Sequence, residues 1–263
     1  MSTMLRGDGR AGRGDASPIG GEGQPFPSRP RSIQRVSPYI VFAFAVLVAA
    51  APALAAEVPV PKNYGEAMRW YERAAEGGNA QAQFYLGVML ENGVRGEPDA
   101  KAAAGWYLKT AEQGHLEAQS RIAEMYYEGR GVARAPIEAM RWFEAAAEGG
   151  WPRAQYNLAL MYERGIGAAA NARHAARWYE RAVDSGIDAA RRQLSYLYAV
   201  GGPGLEPDPI RALMWLEIAA EAGLEDEGEY REGLTGRMSA DDIAEARALT
   251  KERLDWLHGT MPR

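Results

Sequence analysis

Catalysis needs titratable or nucleophilic side chains at short, defined spacing, and this 263-residue sequence offers few of them. Its three histidines are His115, His174 and His258, and no two stand at metal-ligand spacing. His115-Leu116-Glu117 has the H-x-E form of a zinc deaminase, but such a site also needs cysteine ligands and the chain has no cysteine. The same absence excludes disulfides, thiolate nucleophiles, iron-sulfur clusters and the usual structural zinc sites. No nucleophile, base and orienting group fall into a pattern, so no catalytic residue, metal or cofactor is assigned and the chain reads as a non-enzyme. Gly129-Arg130-Gly131 and Gly165-Ile166-Gly167 lack the preceding strand of a phosphate loop and read as loop glycines. Arg13-Gly14-Asp15 matches an adhesion tripeptide by chance.

What remains is a set of basic residues at recurring places. Arg69, Arg73, Lys109, Arg141, Arg177 and Arg181 each stand one position before or three positions after a tryptophan. The tryptophans are periodic: Trp70, Trp106, Trp142, Trp178 and Trp215 are spaced by 36, 36, 36 and 37 residues. Eight positions after each comes a glycine, Gly78, Gly114, Gly150, Gly186 or Gly223. Ala82, Ala118, Ala154 and Ala190 keep the step, as do Leu86, Ile122, Leu158 and Leu194, and Gly93, Gly129, Gly165 and Gly201. A fixed period of this length means a stacked repeat, each unit too small to cover its own apolar face.

One period reads as two helices. Ala67, Trp70, Tyr71 and Ala74 mark one face of a helix A, closed by Gly77-Gly78; helix B follows from about Ala80 to Asn92, with Ala82, Leu86, Met89 and Leu90 on one face. The small residue at Gly87, Ala123, Ala159 and Ser195 is expected where two helix backbones approach, and the tryptophans between layers. On helix A, the positions before and three after each Trp are four apart, so the basic residues form a strip along one face. That strip suits an acidic segment, a terminal carboxylate or an anionic glycan. The blander reading, a solvated face paired with Glu72, Glu144 and Glu180, stands ahead of it because exposed ion pairs signify little.

Strings such as WYERAAEGGNAQAQFYLGVMLENG and WFEAAAEGGWPRAQYNLALMYERGIG resemble Sel1-like repeats, relatives of the tetratricopeptide repeat. The resemblance covers about residues 63–223, with four clear repeats and a fifth whose helix B, about Asp226 to Gly236, has lost the signature. It implies an all-α, right-handed α-solenoid of about five repeats, with helix A lining the concave side and a scaffold or adaptor function in envelope, secretion or signalling assembly. Hydrolase activity belongs to cysteine-rich relatives, whose defining residues are missing here. Ser239 with Asp242 forms a capping-box variant before Ile243, Ala246, Leu249, Leu254 and Leu257, so Ala240 to His258 is expected to cap the stack.

The ends set the remaining expectations. Residues 1–38 are poor in large apolar side chains and read as disordered. The run YIVFAFAVLVAAAPALAA, residues 39–56, with arginines upstream, Pro52 inside and Ala53-Leu54-Ala55 following, has the layout of a signal peptide. The domains are therefore a disordered and signal segment over 1–55, repeats over 57–223, and a degenerate repeat with its cap over 224–263. Export to the periplasm follows, or an inner-membrane anchor if 39–56 stays uncleaved. Net charge is −5, and −8 without residues 1–55, which argues against nucleic acid. An arginine-rich, lysine-poor balance suggests a GC-rich bacterial genome. The expected ligand is a protein partner bound by a monomer, with an anionic glycan as the alternative.

Overall fold

The computed structural model describes residues 64–94, 96–224 and 228–259. The expectations for the disordered stretch, the signal segment and the lead-in 57–63 lie outside them. Among the described residues there are eleven α-helices and one isolated antiparallel bridge, Gly202 to Leu205. The A helices are α1 (Tyr64–Glu76), α3 (Ala100–Glu112), α5 (Pro136–Glu148), α7 (Ala172–Asp184) and α9 (Pro209–Glu221). The B helices are α2 (Ala80–Glu91), α4 (Leu116–Glu128), α6 (Pro152–Arg164), α8 (Ala189–Val200) and the short α10 (Gly228–Thr235). The chain closes with α11 (Ala240–Leu257). From α2 to α8, each B helix packs on the A helix of its own repeat and on that of the next, which makes an all-α solenoid.

The repeated alanine, leucine and methionine positions of helix B form the core: Ala118, Ile122 and Met125, or Ala154, Leu158 and Met161, are fully buried. The tryptophans sit differently from expectation. Trp70, Trp106, Trp142 and Trp178 are half-buried, and the fully enclosed aromatic is the next residue, Tyr107, Phe143 or Tyr179. Helix geometry explains the difference, because that next position points at the middle of the B layers and the Trp position points at its rim. Trp215 alone among the five is buried, at 2% exposure, because α11 covers it.

The small position of helix B meets the next A helix in different ways in different repeats. A Cβ at Gly87 would stand 2.8 Å from the Tyr107 ring, so in the first repeat the residue is small to accept the aromatic of the following A helix. At the same place Ser195 donates to the Ala212 carbonyl at 2.8 Å.

Loops keep the period. Gly131 takes φ 75°, and a Cβ there would lie 2.2 Å from the Ala100 carbonyl oxygen, so the loop leaving α4 presses directly on the start of α3. Gly167 repeats this against the Pro136 carbonyl. The glycines once compared with a phosphate loop are thus the places where a loop touches its own helix A. The extra residue before α9 is absorbed in a tight turn, where Gly202 and Leu205 exchange backbone hydrogen bonds of 2.8 and 2.9 Å and the Pro203 carbonyl accepts the Ala172 N–H.

The carboxyl end is an authentic capping box. Asp242 N–H donates to Ser239 Oγ at 3.1 Å and Ser239 N–H to the Asp242 carboxylate at 3.0 Å. Helix α10 buries none of its residues, in keeping with its lost signature, while α11 buries Ala246 and Thr250 against the stack. No described helix is long and apolar enough to cross a membrane.

Candidate partner-binding face

The six basic residues lie where helical spacing puts them, on the outer face of successive A helices. Arg69 and Arg73 are exposed on α1. On α3, Lys109 folds back so that Nζ stands 4.3 Å from the centre of the Trp106 ring. Arg141 on α5 leaves its side chain 72% exposed and pairs with Glu138 at 3.2 Å. Arg177 and Arg181 on α7 come together in one groove of ≈ 640 Å³ between α5 and α7, with the Arg181 guanidinium 4.7 Å over the Trp178 ring.

That groove is not uniformly basic. Glu144, Glu148, Glu180 and Asp184 line it beside the two arginines, with Tyr162, His174 and Trp178. His174 meets Tyr162 edge-on at 5.1 Å. Burial, then the carboxylates of Glu144 and Glu148, push the Tyr162 hydroxyl above its ordinary pKa. A surface of interleaved charges and half-buried rings favours a ligand with both signs of charge and apolar area.

Two recurring features escaped the reading of the sequence, though both keep the 36-residue step. Glu76, Glu112, Glu148, Asp184 and Glu221 put a carboxylate six residues after every tryptophan. A negative charge in the last turn opposes the helix dipole, so its recurrence does not serve helix stability. The second feature is internal. Gln83, Gln119 and Gln155 each donate through Nε2 to a carbonyl in the last turn of the preceding helix, Ala75, Ala111 and Ala147, at 3.0, 3.2 and 3.4 Å. Each carbonyl also accepts the N–H of the turn glycine, Gly78, Gly114 or Gly150, so the glutamine adds a second donor there and ties helix B to the end of helix A within a repeat.

A set of ion pairs along the B helices and the loop after α4 was not legible in the sequence. Arg130 joins Glu91 at 2.7 Å and Glu128 at 2.9 Å, while Glu124, only 7% exposed, meets Arg153 at 3.2 Å. Burial raises the Glu124 carboxyl above its ordinary pKa despite Arg153 and Arg121. This set ties α2, α4 and α6 together.

The histidines do not assemble. His115 caps α4, its Nδ1 accepting the Ala118 N–H at 3.2 Å, and stacks on Phe84 at 4.7 Å. His258 is the exposed C-cap residue of α11. No group of three or more His, Asp or Glu able to hold a metal ion occurs among the described residues.

Known proteins share this architecture. A crystal structure of a Sel1 repeat protein from Oxalobacter formigenes is similar at 27% identity and a TM-score of 0.60, with 81% of this chain and 84% of that one covered. A protective antigen of uropathogenic Escherichia coli, c5321, described as displaying an SLR fold, is also 27% identical, with a TM-score of 0.44, over 74% of this chain and 50% of its own length. No curated protein matches the sequence. The profile of the Sel1 repeat matches residues 57–79, 80–115, 116–151, 152–187 and 188–224 in unbroken succession. With more than half of its length accounted for in this way, the chain belongs to the Sel1 repeat family.

Proposed function

We propose that this protein is an exported scaffold that holds a protein partner against the solvent-facing side of its A helices, the concave face of the solenoid, in the assembly of an envelope, secretion or signalling complex. Sel1 repeat proteins typically act as protein-interaction scaffolds, and in this proposal the face described above is where the partner is held. The observation that supports it best is the groove between α5 and α7, where Arg177, Arg181, Trp178 and four carboxylates are presented together. An anionic glycan would meet those carboxylates as well as the arginines, so like-charge repulsion favours a peptide surface over a polyanion. Placement in the periplasm rests on the apolar run 39–56 and its flanks.

Charge reversal tests the face. Arg141→Glu with Arg177→Glu should abolish capture of the partner by a membrane-impermeant crosslinker in cells while leaving helical circular dichroism unchanged. Capture that survives both changes would place the contact elsewhere. Sequencing the amino terminus of the recovered protein tests export, with cleavage expected after Ala55 and a full-length chain arguing for an anchor.

A further inference from the structure

The carboxyl-terminal helix shows what the outer face of an A helix accepts. On α9 the two strip positions hold Met214 and Ile218 instead of bases, and both are buried. Helix α11 crosses this face: Thr250 bonds Glu217 at 3.1 Å and Arg247 pairs with Glu217 at 3.7 Å. Arg253 places its guanidinium 5.5 Å over the Trp215 ring and 4.4 Å over Trp256 of its own helix, and it pairs with Asp184 of α7. One arginine is therefore received by the tryptophan of one repeat and the carboxylate of the repeat before it. Both belong to the repeated series, which places the same pair at Trp178 with Glu148, Trp142 with Glu112, and Trp106 with Glu76.

The pairs differ in what fills them. Lys109 covers Trp106 and Arg181 covers Trp178, each from three residues further along its own helix. In the third repeat that residue is Ala145, and among the described residues no cation lies over Trp142. The neighbouring strip position on α3 is Gly105, where an added Cβ would meet nothing within 4 Å. Trp142 is half-buried against the core around Tyr107, and Glu112 is exposed.

We propose that Trp142 and Glu112 form an empty arginine socket that receives a helical segment of the protein partner, docked as α11 docks on α9. The spacing of Ala246, Thr250 and Arg253 specifies that segment: small side chains one turn apart and an arginine three residues after the second. A planar guanidinium suits the site because it stacks on the indole and bonds the carboxylate at once, which an ammonium does less well. Ala145 and Gly105 leave room for the incoming helix. This inference rests on the reading of the A-helix face as the partner surface.

The probe is a labelled synthetic peptide of residues 239–258, capped at both ends and titrated onto the full chain by fluorescence anisotropy. Binding is expected, and Ala145→Lys, which supplies the cation that Lys109 supplies to Trp106, should weaken it at least fivefold without changing helical content. Arg253→Ala in the peptide should cost a similar factor on the native chain and almost nothing on the A145K chain. The socket is overturned if the peptide does not bind or if A145K leaves its affinity unchanged. Loss of binding on Glu217→Ala but not on A145K overturns it too, since the peptide would then be exchanging with the resident α11. The broader reading fails separately, by partner capture that R141E and R177E do not disturb.

Discussion

His115 shows how much one side chain can carry in a repeat this small. Its Nδ1 must be unprotonated to accept the Ala118 N–H, and its ring stacks on Phe84. Burial holds its pKa below the ordinary histidine value, against the opposing pull of Glu117. The unfolded chain therefore takes up a proton before the folded one as the pH falls. The stabilisation is complete above the ordinary value of about 6.5 and is lost as the pH drops through the folded one. Asparagine caps a helix without titrating, so His115→Asn should flatten the fall in the urea midpoint between neutral and mildly acidic pH. Parallel curves for the two proteins would acquit this residue. Pairing at the residue scale also follows the period. The Tyr107 hydroxyl donates to Glu91 at 2.7 Å and that of Tyr179 to Glu163 at 2.5 Å, sixteen residues apart in both cases. Between them the same two places hold Tyr127 and Phe143, so acid and hydroxyl disappear together. Burial pushes Glu91 up, but the Tyr107 hydroxyl and the Arg130 guanidinium outweigh it and hold the carboxyl below its ordinary range.

Among the elements, α11 depends most on local chemistry, because its amino end is exposed and closed by a single capping box. Ser239→Ala should cost about 1 kcal/mol, measured by urea denaturation. Its effect should appear first as a red shift of the Trp215 emission, since fraying of α11 uncovers that ring. An unshifted emission with reduced stability would mean that α9 and α11 open only with the rest of the stack. Helix identity and the capping box were legible in the sequence because glycine stops, apolar spacing and the Ser239 to Asp242 interval are local properties of the chain. The exposure of the tryptophans was not, since periodicity reports that a position is repeated and not whether it points at the centre or the rim of a layer. The ion-pair chain through Glu91, Arg130, Glu124 and Arg153 was hidden for a related reason. It joins different repeat positions, so no column of the period displays it. The strip of bases was readable from its four-residue spacing, whereas the repeated carboxylates six residues after each tryptophan lie in the last turn of helix A, where their charge runs against the helix dipole and so carries no familiar local signal.

In the whole molecule, stability is the sum of similar layers, each touching only its neighbours. Leu158→Ala in the fully buried middle of α6 should cost about 2–5 kcal/mol through lost burial and a residual cavity. Hydrogen exchange should then accelerate most in α5 to α8 and least in α2 and α9. Equal acceleration everywhere would show that the array unfolds as one unit. The position of α11 has one more consequence. By crossing α9 and anchoring Arg253 on Asp184, it gives the row of A helices a blocked end, so the row has a direction as well as a face. A long ligand laid along the row cannot run through: its terminus must fall before α9 or its path must turn away from the solenoid there. The protein thus sets a stop for whatever it holds, in the way that a ruler is read from one end.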